Sequence, residues 1–266
     1  MTPLLPTPMV VLLVGTLGLA VGSFLNVVVH RVPLGLSVVS PGSACPACTQ
    51  PVRGRDNVPV LSWLLLRGRC RDCAHPISAR YPLVEAGTAA LLVVVALAVE
   101  DPQVALAALV VAAAGVALAL IDLEHGRLPF AVTGAAALLA APALLADQVL
   151  GGAVPLTTVA LSLLAWTGVY GGAWAVTRGR GMGLGDVALA PLLGLVLGSV
   201  SLGTSLVGLA AGFVGGAVVG VVLLTSGALG RGAAMPHGPA MLVGAAVGLL
   251  VGDPVSQAYL RFTGLA

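Results

Sequence analysis

Long apolar runs dominate this chain, and short polar or glycine-rich stretches separate them. An α-helix needs about 20 apolar residues to cross the hydrocarbon core of a bilayer, and about eight runs here approach that length. The predicted runs cover residues 9–30, 82–99, 104–121, 131–147, 157–177, 187–203, 205–229 and 238–252. The sixth and seventh runs abut at Gly203 and Thr204. The pattern predicts an all-α polytopic membrane protein with about eight transmembrane helices.

The composition supports this fold class. Hydrophobic residues make up 58% of the chain, charged residues make up only 8%, and the mean hydropathy is +1.08. A soluble domain could not bury that much apolar surface. Residues 1–8 lack the basic start of a cleavable signal peptide, and the run that follows is longer than a usual signal-peptide core. We therefore expect the first run to be a retained membrane span.

Arginine supplies all twelve basic side chains apart from histidine, and the placement of these arginines predicts the orientation of the helices. Seven of them lie between Arg31 and Arg80, so the positive-inside rule places that segment in the cytoplasm and the amino terminus outside. Alternating through eight spans then places four further arginines on the cytoplasmic side: Arg127, Arg178, Arg180 and Arg231.

One segment is long and polar enough to fold outside the bilayer, residues 31–81, and it contains all four cysteines. Cys45 and Cys48 form one CxxC pair, Cys70 and Cys73 form a second, and 21 residues separate the pairs. Two such turns supply a closed tetrahedral zinc site with a structural role. Disulfides do not persist in a reducing cytoplasm, and a redox role would need only one pair. We predict a small zinc-ribbon-like domain at 31–81, preceded by one helix at 1–30 and followed by about seven helices at 82–266.

Two aspartates indicate where chemistry occurs. Asp122 ends the third apolar run, and Asp186 follows the glycine-rich stretch that contains Gly181, Gly183 and Gly185. The same topology places both aspartates at cytoplasmic helix ends, where the two carboxylates can meet. One carboxylate would then hold a proton while the other stays charged, which suits peptide hydrolysis through an activated water molecule. The glycines leave room for a substrate backbone. The residues alone leave a second reading open, a transporter or proton channel that uses the same carboxylates.

Five motifs in order along the chain carry a resemblance to a known family. They are GSFLNVVVHRVP at 22–33, DNVPVLSW at 56–63, RYPLVE at 80–85, Asp122 with Leu128 and Pro129, and GLGD at 183–186. Together they resemble the type IV prepilin peptidases, which belong to the GxGD aspartic proteases. The resemblance covers nearly the whole chain.

The resemblance implies an activity, partners and cofactors. It implies cleavage of prepilins and pseudopilins just after a glycine, at the cytoplasmic face of the bacterial inner membrane. Asp122 and Asp186 would be the catalytic pair, supported by Gly183 and Gly185. Because the cysteine-bearing domain is intact, the resemblance also implies methylation of the new amino terminus by S-adenosylmethionine, at residues that stay unassigned. Lipid would attract the basic leader to the membrane surface. Nucleic-acid binding is not expected, because the positive-inside bias explains the arginines.

The chain departs from the family pattern at four positions near these motifs. Glu124 stands where a second aspartate is common, and Phe130 stands where aspartate or asparagine is common. Ala188 replaces a frequent lysine, and His237 replaces a usual phenylalanine. None of these changes removes a catalytic carboxylate. Two interpretations stay open for Glu85, near the start of the second span. The carboxylate could contact an arginine of the cytoplasmic segment or the methyl donor, or it could simply be favoured by the dipole at the amino end of the helix.

Overall fold

The structure, a computed structural model, describes residues 6–180, 182–227 and 235–264. Within these ranges the regular elements are helices, and the β-structure consists of two isolated bridges. Gly181 of the glycine-rich stretch and Arg231 of the charge pattern lie outside the described residues.

Nine α-helices are described. Their bounds are α1 Thr7–Arg31, α2 Leu61–Leu65, α3 Arg80–Ala98, α4 Pro102–His125, α5 Phe130–Val149, α6 Leu156–Thr177, α7 Leu184–Val200, α8 Leu202–Thr225 and α9 Gly238–Thr263. By their internal contacts the helices fall into two compact units, residues 1–97 and 98–266. Within the described residues, each of the eight predicted apolar runs falls largely on one helix, and the extra helix α2 is a short turn in the cysteine-bearing segment.

Seven of the described helices are long and apolar enough to cross a membrane. The remaining predicted run, the sixth, corresponds to α7, which has only 17 residues and so falls short of the usual length of about 20. The prediction that α7 and α8 meet at Gly203 and Thr204 was wrong. The break lies at Ser201, whose backbone is extended and whose Oγ accepts the Thr204 N–H, so this serine caps α8.

In the first unit, α1 and α3 pack closely through two glycines spaced four residues apart. A Cβ at Gly18 would lie 2.6 Å from the Cα of Ala89, and a Cβ at Gly22 would lie 2.7 Å from the Cα of Glu85. Small residues at this spacing let helix backbones approach each other in a bilayer. The two helices that flank the cysteine-bearing segment are held together in this way.

The second unit contains α4 to α9, and glycine also sets its closest packing. Gly208 and Gly212 of α8 lie against Gly244 and Gly248 of α9, where a Cβ would overlap the facing backbone. The α6 side chain of Trp166 is fully buried, and its Nε1 donates to the Ser205 carbonyl of α8 at 3.2 Å. Since lipid supplies no hydrophobic force between helices, this close contact and the buried hydrogen bond hold the bundle.

The packing generates a prediction for Gly244. We expect Gly244→Ala to lower the thermal unfolding temperature in detergent, because its Cβ would overlap the backbone of Gly212, and overpacking typically destabilises by about 1–3 kcal/mol. The matched control is Gly215→Ala on α8, whose Cβ would meet nothing within 4 Å. An equal effect of the two substitutions would contradict close packing of α8 on α9.

Candidate active site

Asp122 lies in the last turn of α4, and the backbone around it is fixed. Gly126 ends the helix in the left-handed conformation, with φ of 62°, and its N–H donates to the Asp122 carbonyl at 2.8 Å. The Asp122 side chain is only 4% exposed. Its Oδ2 accepts the backbone N–H of Gly238, the first residue of α9, at 2.9 Å. A helix amino terminus therefore anchors this carboxylate.

Asp186 lies in the first turn of α7 and is also buried. Its Oδ2 accepts the N–H of Gly183, the residue that precedes the helix, at 3.0 Å. Its Oδ1 is buried and has no hydrogen-bond partner among the described residues. One oxygen of this carboxylate is thus held by the protein, and the other is buried with no hydrogen bond among the described residues.

Both aspartates lie at the same end of the second unit, at the carboxyl end of α4 and the amino end of α7. The two helices contact each other, and the negative charge of Asp186 acts on Asp122. The structure therefore places the two carboxylates that the sequence singled out in one region of the second unit. Two neighbouring carboxylates in a buried site can act as general acid and general base.

The glycines near Asp186 have different surroundings. Gly183 provides the N–H that holds Asp186. Gly185 packs against Leu128 in the connection between α4 and α5, where a Cβ would lie 2.7 Å from the Leu128 Cβ. The Leu128 side chain also faces Gly238, the anchor of Asp122. Leu128 therefore links the surroundings of the two aspartates by packing. The sequence indicates this residue only as part of a motif.

His237 is the residue that sequence reasoning placed least well. It had been noted as a departure from phenylalanine, and the structure places it beside Asp122, whose charge acts on it. Its ring contacts Tyr170 and Phe213 at centroid distances of 5.7 and 6.4 Å. Burial lowers the pKa of His237, and the negative charge of Asp122 opposes that shift. Tyr170, for which the sequence gave no signal, is fully buried in the same cluster.

The first unit contains the four cysteines, and they form a cluster. All four Sγ atoms lie within 4.8 Å of one another, and the Cys45 and Cys73 Sγ atoms are 3.8 Å apart. Sulfurs at the corners of a tetrahedron with bonds of about 2.3 Å to a central zinc lie about 3.8 Å apart. The cluster therefore has the dimensions of a four-sulfur metal site.

The two cysteine turns have matching backbones. Each is closed by one isolated bridge, Ala44 to Pro51 in the first and Arg69 to Pro76 in the second. Backbone N–H groups of Cys48 and Ala47 lower the pKa of Cys45 to about 7, which favours its thiolate. The His75 N–H acts in the same direction on Cys73, but burial and the neighbouring thiols raise the pKa of Cys73 to about 12. A metal cation would allow all four sulfurs to ionise together.

The motif at 56–63 supports this cluster from one side. Two guanidinium nitrogens of Arg71 donate hydrogen bonds to the Asp56 carboxylate at 2.6 to 3.0 Å, and these hydrogen bonds lower the pKa of Asp56. Trp63 donates its Nε1 to the Ile77 carbonyl at 3.0 Å. Each contact connects the segment between the two cysteine pairs to the second pair: Arg71 lies within that pair, and Ile77 follows it.

Glu85 has a third role that the sequence did not suggest. Its Oε2 accepts the N–H of Val60 at 2.7 Å, within the first unit. Val60 has a φ of 61° and ψ of −52°, and the Leu61 N–H donates to the Pro59 carbonyl, so the backbone forms a γ-turn. A β-branched residue is strained in this region. The Glu85 carboxylate therefore stabilises a strained turn at the end of the cysteine-bearing segment.

Comparisons with known proteins show the family of the chain. Residues 16–99 match the model of the bacterial peptidase A24 N-terminal domain, and residues 109–224 match the type IV leader peptidase family. A prepilin leader peptidase/N-methyltransferase of Aeromonas hydrophila is 36% identical, and the alignment covers 93% of each chain. The chain belongs to the type IV leader peptidase family.

Two further family members show how far the similarity extends. A prepilin leader peptidase/N-methyltransferase of Dichelobacter nodosus is 32% identical over 97% of this chain and 98% of its own length. A type 4 prepilin-like proteins leader peptide-processing enzyme of Escherichia coli is 39% identical over 70% of this chain and 76% of its own length. No solved structure matches the chain. Membership of this family does not favour the transporter or proton channel that the carboxylates alone had left open.

The geometry of the first unit predicts unequal roles for two of the ion pairs among its described residues, Arg71–Asp56 and Arg53–Asp72. In protein whose cysteine cluster has been loaded with zinc, we expect Asp56→Ala to accelerate loss of the metal to a chelator several-fold, because the substitution frees Arg71, which adjoins Cys70. The Asp56 side chain is 9% exposed, whereas both partners of the Arg53–Asp72 pair are more exposed. Exposed pairs contribute about 0–1 kcal/mol, so the control Arg53→Ala should change the release rate by a smaller factor than Asp56→Ala does. Equal rates for the two variants would contradict a supporting role for Asp56.

Proposed function

We propose that this protein is a membrane aspartic endopeptidase that removes the leader of type IV prepilins and pseudopilins. One observation carries the proposal: two buried carboxylates, Asp122 and Asp186, lie at adjoining ends of α4 and α7, each held by one backbone N–H. Family membership supplies the substrate class. We assign no nucleophilic side chain to the reaction.

The proposed reaction uses the two aspartates in opposite protonation states. The ionised carboxylate removes a proton from water, and the oxygen of that water attacks the carbonyl carbon of the scissile peptide bond. The protonated carboxylic acid donates to the carbonyl oxygen. When the tetrahedral intermediate collapses, the C–N bond breaks, and the carboxyl group that took a proton from water gives it to the leaving nitrogen. The other carboxylate takes a proton back from a hydroxyl of the intermediate as the new carboxyl group forms. The backbone N–H donors on the Oδ2 atoms orient both carboxylates without supplying a mobile proton.

A second activity follows from the same family. The new amino terminus would be methylated, with S-adenosylmethionine as methyl donor: a new N–C bond forms while the donor's S–C bond breaks. We assign no residues to the donor. The proposed domain division remains residues 1–30, 31–81 and 82–266.

The proposed topology has eight spans, α7 included, in the bacterial inner membrane. The amino terminus lies outside, and the cysteine-bearing segment and both aspartates lie at the cytoplasmic face. Three arginines support this orientation, because they lie at the same end of the second unit as the aspartates. Arg127 follows the carboxyl end of α4, and Arg178 and Arg180 follow the carboxyl end of α6. The basic leader of a prepilin would remain at the anionic lipid surface while the scissile bond reaches the site.

The pair of aspartates generates a cleavage prediction. We expect Asp122→Asn and Asp186→Asn each to reduce leader removal from a prepilin in detergent or nanodiscs by at least about 10²-fold, because neither amide can exchange the proton. The matched control is Glu100→Gln, an exposed carboxylate beside the end of α4 opposite to Asp122, which should leave the rate nearly unchanged. Residual cleavage close to wild type in either variant would exclude that residue from catalysis.

Mass measurement of the same product tests the second activity. With S-adenosylmethionine present, we expect the shortened prepilin to gain the mass of one methyl group at its amino terminus. Because a new amino group must exist first, the Asp186→Asn variant should give neither cleavage nor methylation. Methylation of an uncleaved prepilin would refute this order of reactions.

We further propose that the four cysteines hold one structural zinc ion in a zinc-ribbon-like domain. The clustered sulfurs and the matched turns support zinc, and a closed four-sulfur site leaves no position for substrate. Cys45, Cys48, Cys70 and Cys73 would be the ligands.

Metal analysis tests this assignment. We expect about one zinc per purified chain, and a large loss of zinc in Cys73→Ser, because a serine hydroxyl is a poor ligand beside three thiolates. Ser43→Ala, outside the cluster, serves as control. A wild-type chain that contains no zinc, or an intermolecular disulfide in place of metal, would overturn the assignment.

A further inference from the structure

The short helix α2, in the cysteine-bearing segment, presents an apolar stripe at its surface. Leu61, Leu64 and Leu65 are 58%, 57% and 83% exposed, and their spacing places them on one side of the helix. Another side carries Ser62, which is buried and whose Oγ accepts the Val58 N–H at 3.0 Å. The helix is therefore amphipathic, and the described residues leave its apolar side exposed.

Two hydrogen bonds fix α2 beside the start of α3, within the first unit. The Val60 N–H, directly before α2, donates to the Glu85 Oε2 at 2.7 Å, and the Trp63 Nε1 donates to the Ile77 carbonyl at 3.0 Å. Ile77 lies three residues before Arg80, where α3 begins, and Glu85 lies five residues after it. Five residues of helix span about 7–8 Å. The helix α2 therefore lies level with the first turns of α3.

The length of α3 relates this level to the membrane. Its 19 residues correspond to a length of about 28 Å, which is close to the roughly 30 Å thickness of the hydrocarbon core. The start of α3 therefore lies at the boundary between acyl chains and headgroups. Tyr81, in its first turn, is 49% exposed, and tyrosine is common at this boundary. Amphipathic helices at the boundary bury their apolar side about 5–10 Å deep, which is the level of α2.

The charges next to α2 match a bilayer that contains anionic lipid. Arg67 and Arg69 follow the helix directly and are exposed. Arg55 is also exposed, and it lies close to α2 because its carbonyl accepts the Ser62 hydroxyl at 3.1 Å. Residues 31–81 contain seven arginines and two aspartates, so the segment is strongly basic. Each arginine near an anionic membrane surface strengthens the attraction.

The form of the stripe favours lipid over a protein partner. Leu65 is 83% exposed, so it projects from the surface and does not line a groove. Acyl chains can rearrange around a projecting side chain, whereas a protein partner would need a matching pocket. An apolar stripe with arginines beside it is typical of a helix that lies in the membrane surface.

We propose that α2 is an interfacial anchor, which inserts Leu61, Leu64 and Leu65 among the acyl chains of the cytoplasmic leaflet while the neighbouring arginines bind anionic headgroups. This inference goes beyond the proposed peptidase function and depends only on α1 and α3 crossing the membrane. The bond between Val60 and Glu85 holds α2 at the depth of the boundary, which gives the strained turn a role. The anchor fixes the cysteine-bearing segment against the membrane surface.

Depth-dependent fluorescence quenching tests the insertion. A genetically encoded fluorescent amino acid replaces Leu65 in one chain and Gln50, an exposed polar residue of the first cysteine turn, in the control chain. Both chains are placed in nanodiscs of phosphatidylethanolamine and phosphatidylglycerol, with or without a lipid that carries a nitroxide on its acyl chain near the headgroup. We expect quenching at position 65 to exceed that at position 50 by at least about threefold, because the nitroxide reaches inserted side chains. Equal quenching at the two positions would overturn the proposal.

Added substrate distinguishes lipid from prepilin as the occupant. A saturating amount of purified prepilin should leave the quenching at position 65 unchanged, because lipid covers the stripe whether or not substrate is bound. If prepilin removed the quenching, the stripe would be a substrate-binding surface and the anchor would be refuted.

Limited proteolysis provides an independent measurement. Trypsin cleaves after arginine, and Arg67 and Arg69 directly follow α2. In the same nanodiscs, we expect Leu65→Gln to raise the rate of cleavage at these two arginines at least about threefold, because the loss of an apolar side chain weakens insertion. The matched control is Val39→Gln, since Val39 is 85% exposed in the same segment but lies outside α2. Equal cleavage rates for the two variants would contradict anchoring by α2.

Discussion

Two backbone N–H groups that each bind one carboxylate are the contacts on which the site depends. The Gly238 N–H binds Asp122, and the Gly183 N–H binds Asp186. Both donors belong to helix starts, where backbone N–H groups have no partner within the helix. The donors stabilise negative charge in a buried place without adding a titratable group. One oxygen of each aspartate is thereby positioned, and the pair can divide the roles of acid and base.

Close helix packing keeps these helix starts in place. Gly238 opens α9, and the glycines of α9 pack against those of α8 so tightly that no side chain fits between them. Leu128 lies against both Gly185 and Gly238 and thus relates the surroundings of the two aspartates. A substitution far along α9 can therefore reach Asp122 through its anchor. The abundance of glycine in this chain is explained by this packing as much as by the active site.

The features that sequence reasoning found are those that rare residue types mark. Two aspartates beside apolar runs and two CxxC pairs stand out because charge and cysteine are scarce here. The seven longer helices follow from run length alone, but Ser201 escaped notice because a capping serine resembles any other small residue within an apolar stretch. The Gly238 and Gly183 donors are backbone groups and leave no mark in the sequence. Tertiary packing creates the other features, and a single sequence does not reveal them. They are the positions of His237 and Tyr170 beside the aspartates, the turn at Val60, and the position of α2 beside the start of α3.

The account rests on the two carboxylates sharing one proton and one water molecule. A cryo-electron-microscopy structure of the wild-type protein in lipid, at a resolution that defines these side chains, measures their separation directly. We expect the Asp122 and Asp186 carboxylates to lie close enough for one water molecule to bridge them, at the cytoplasmic ends of α4 and α7. Carboxylates too far apart to be bridged, or at opposite faces of the membrane, would contradict the account.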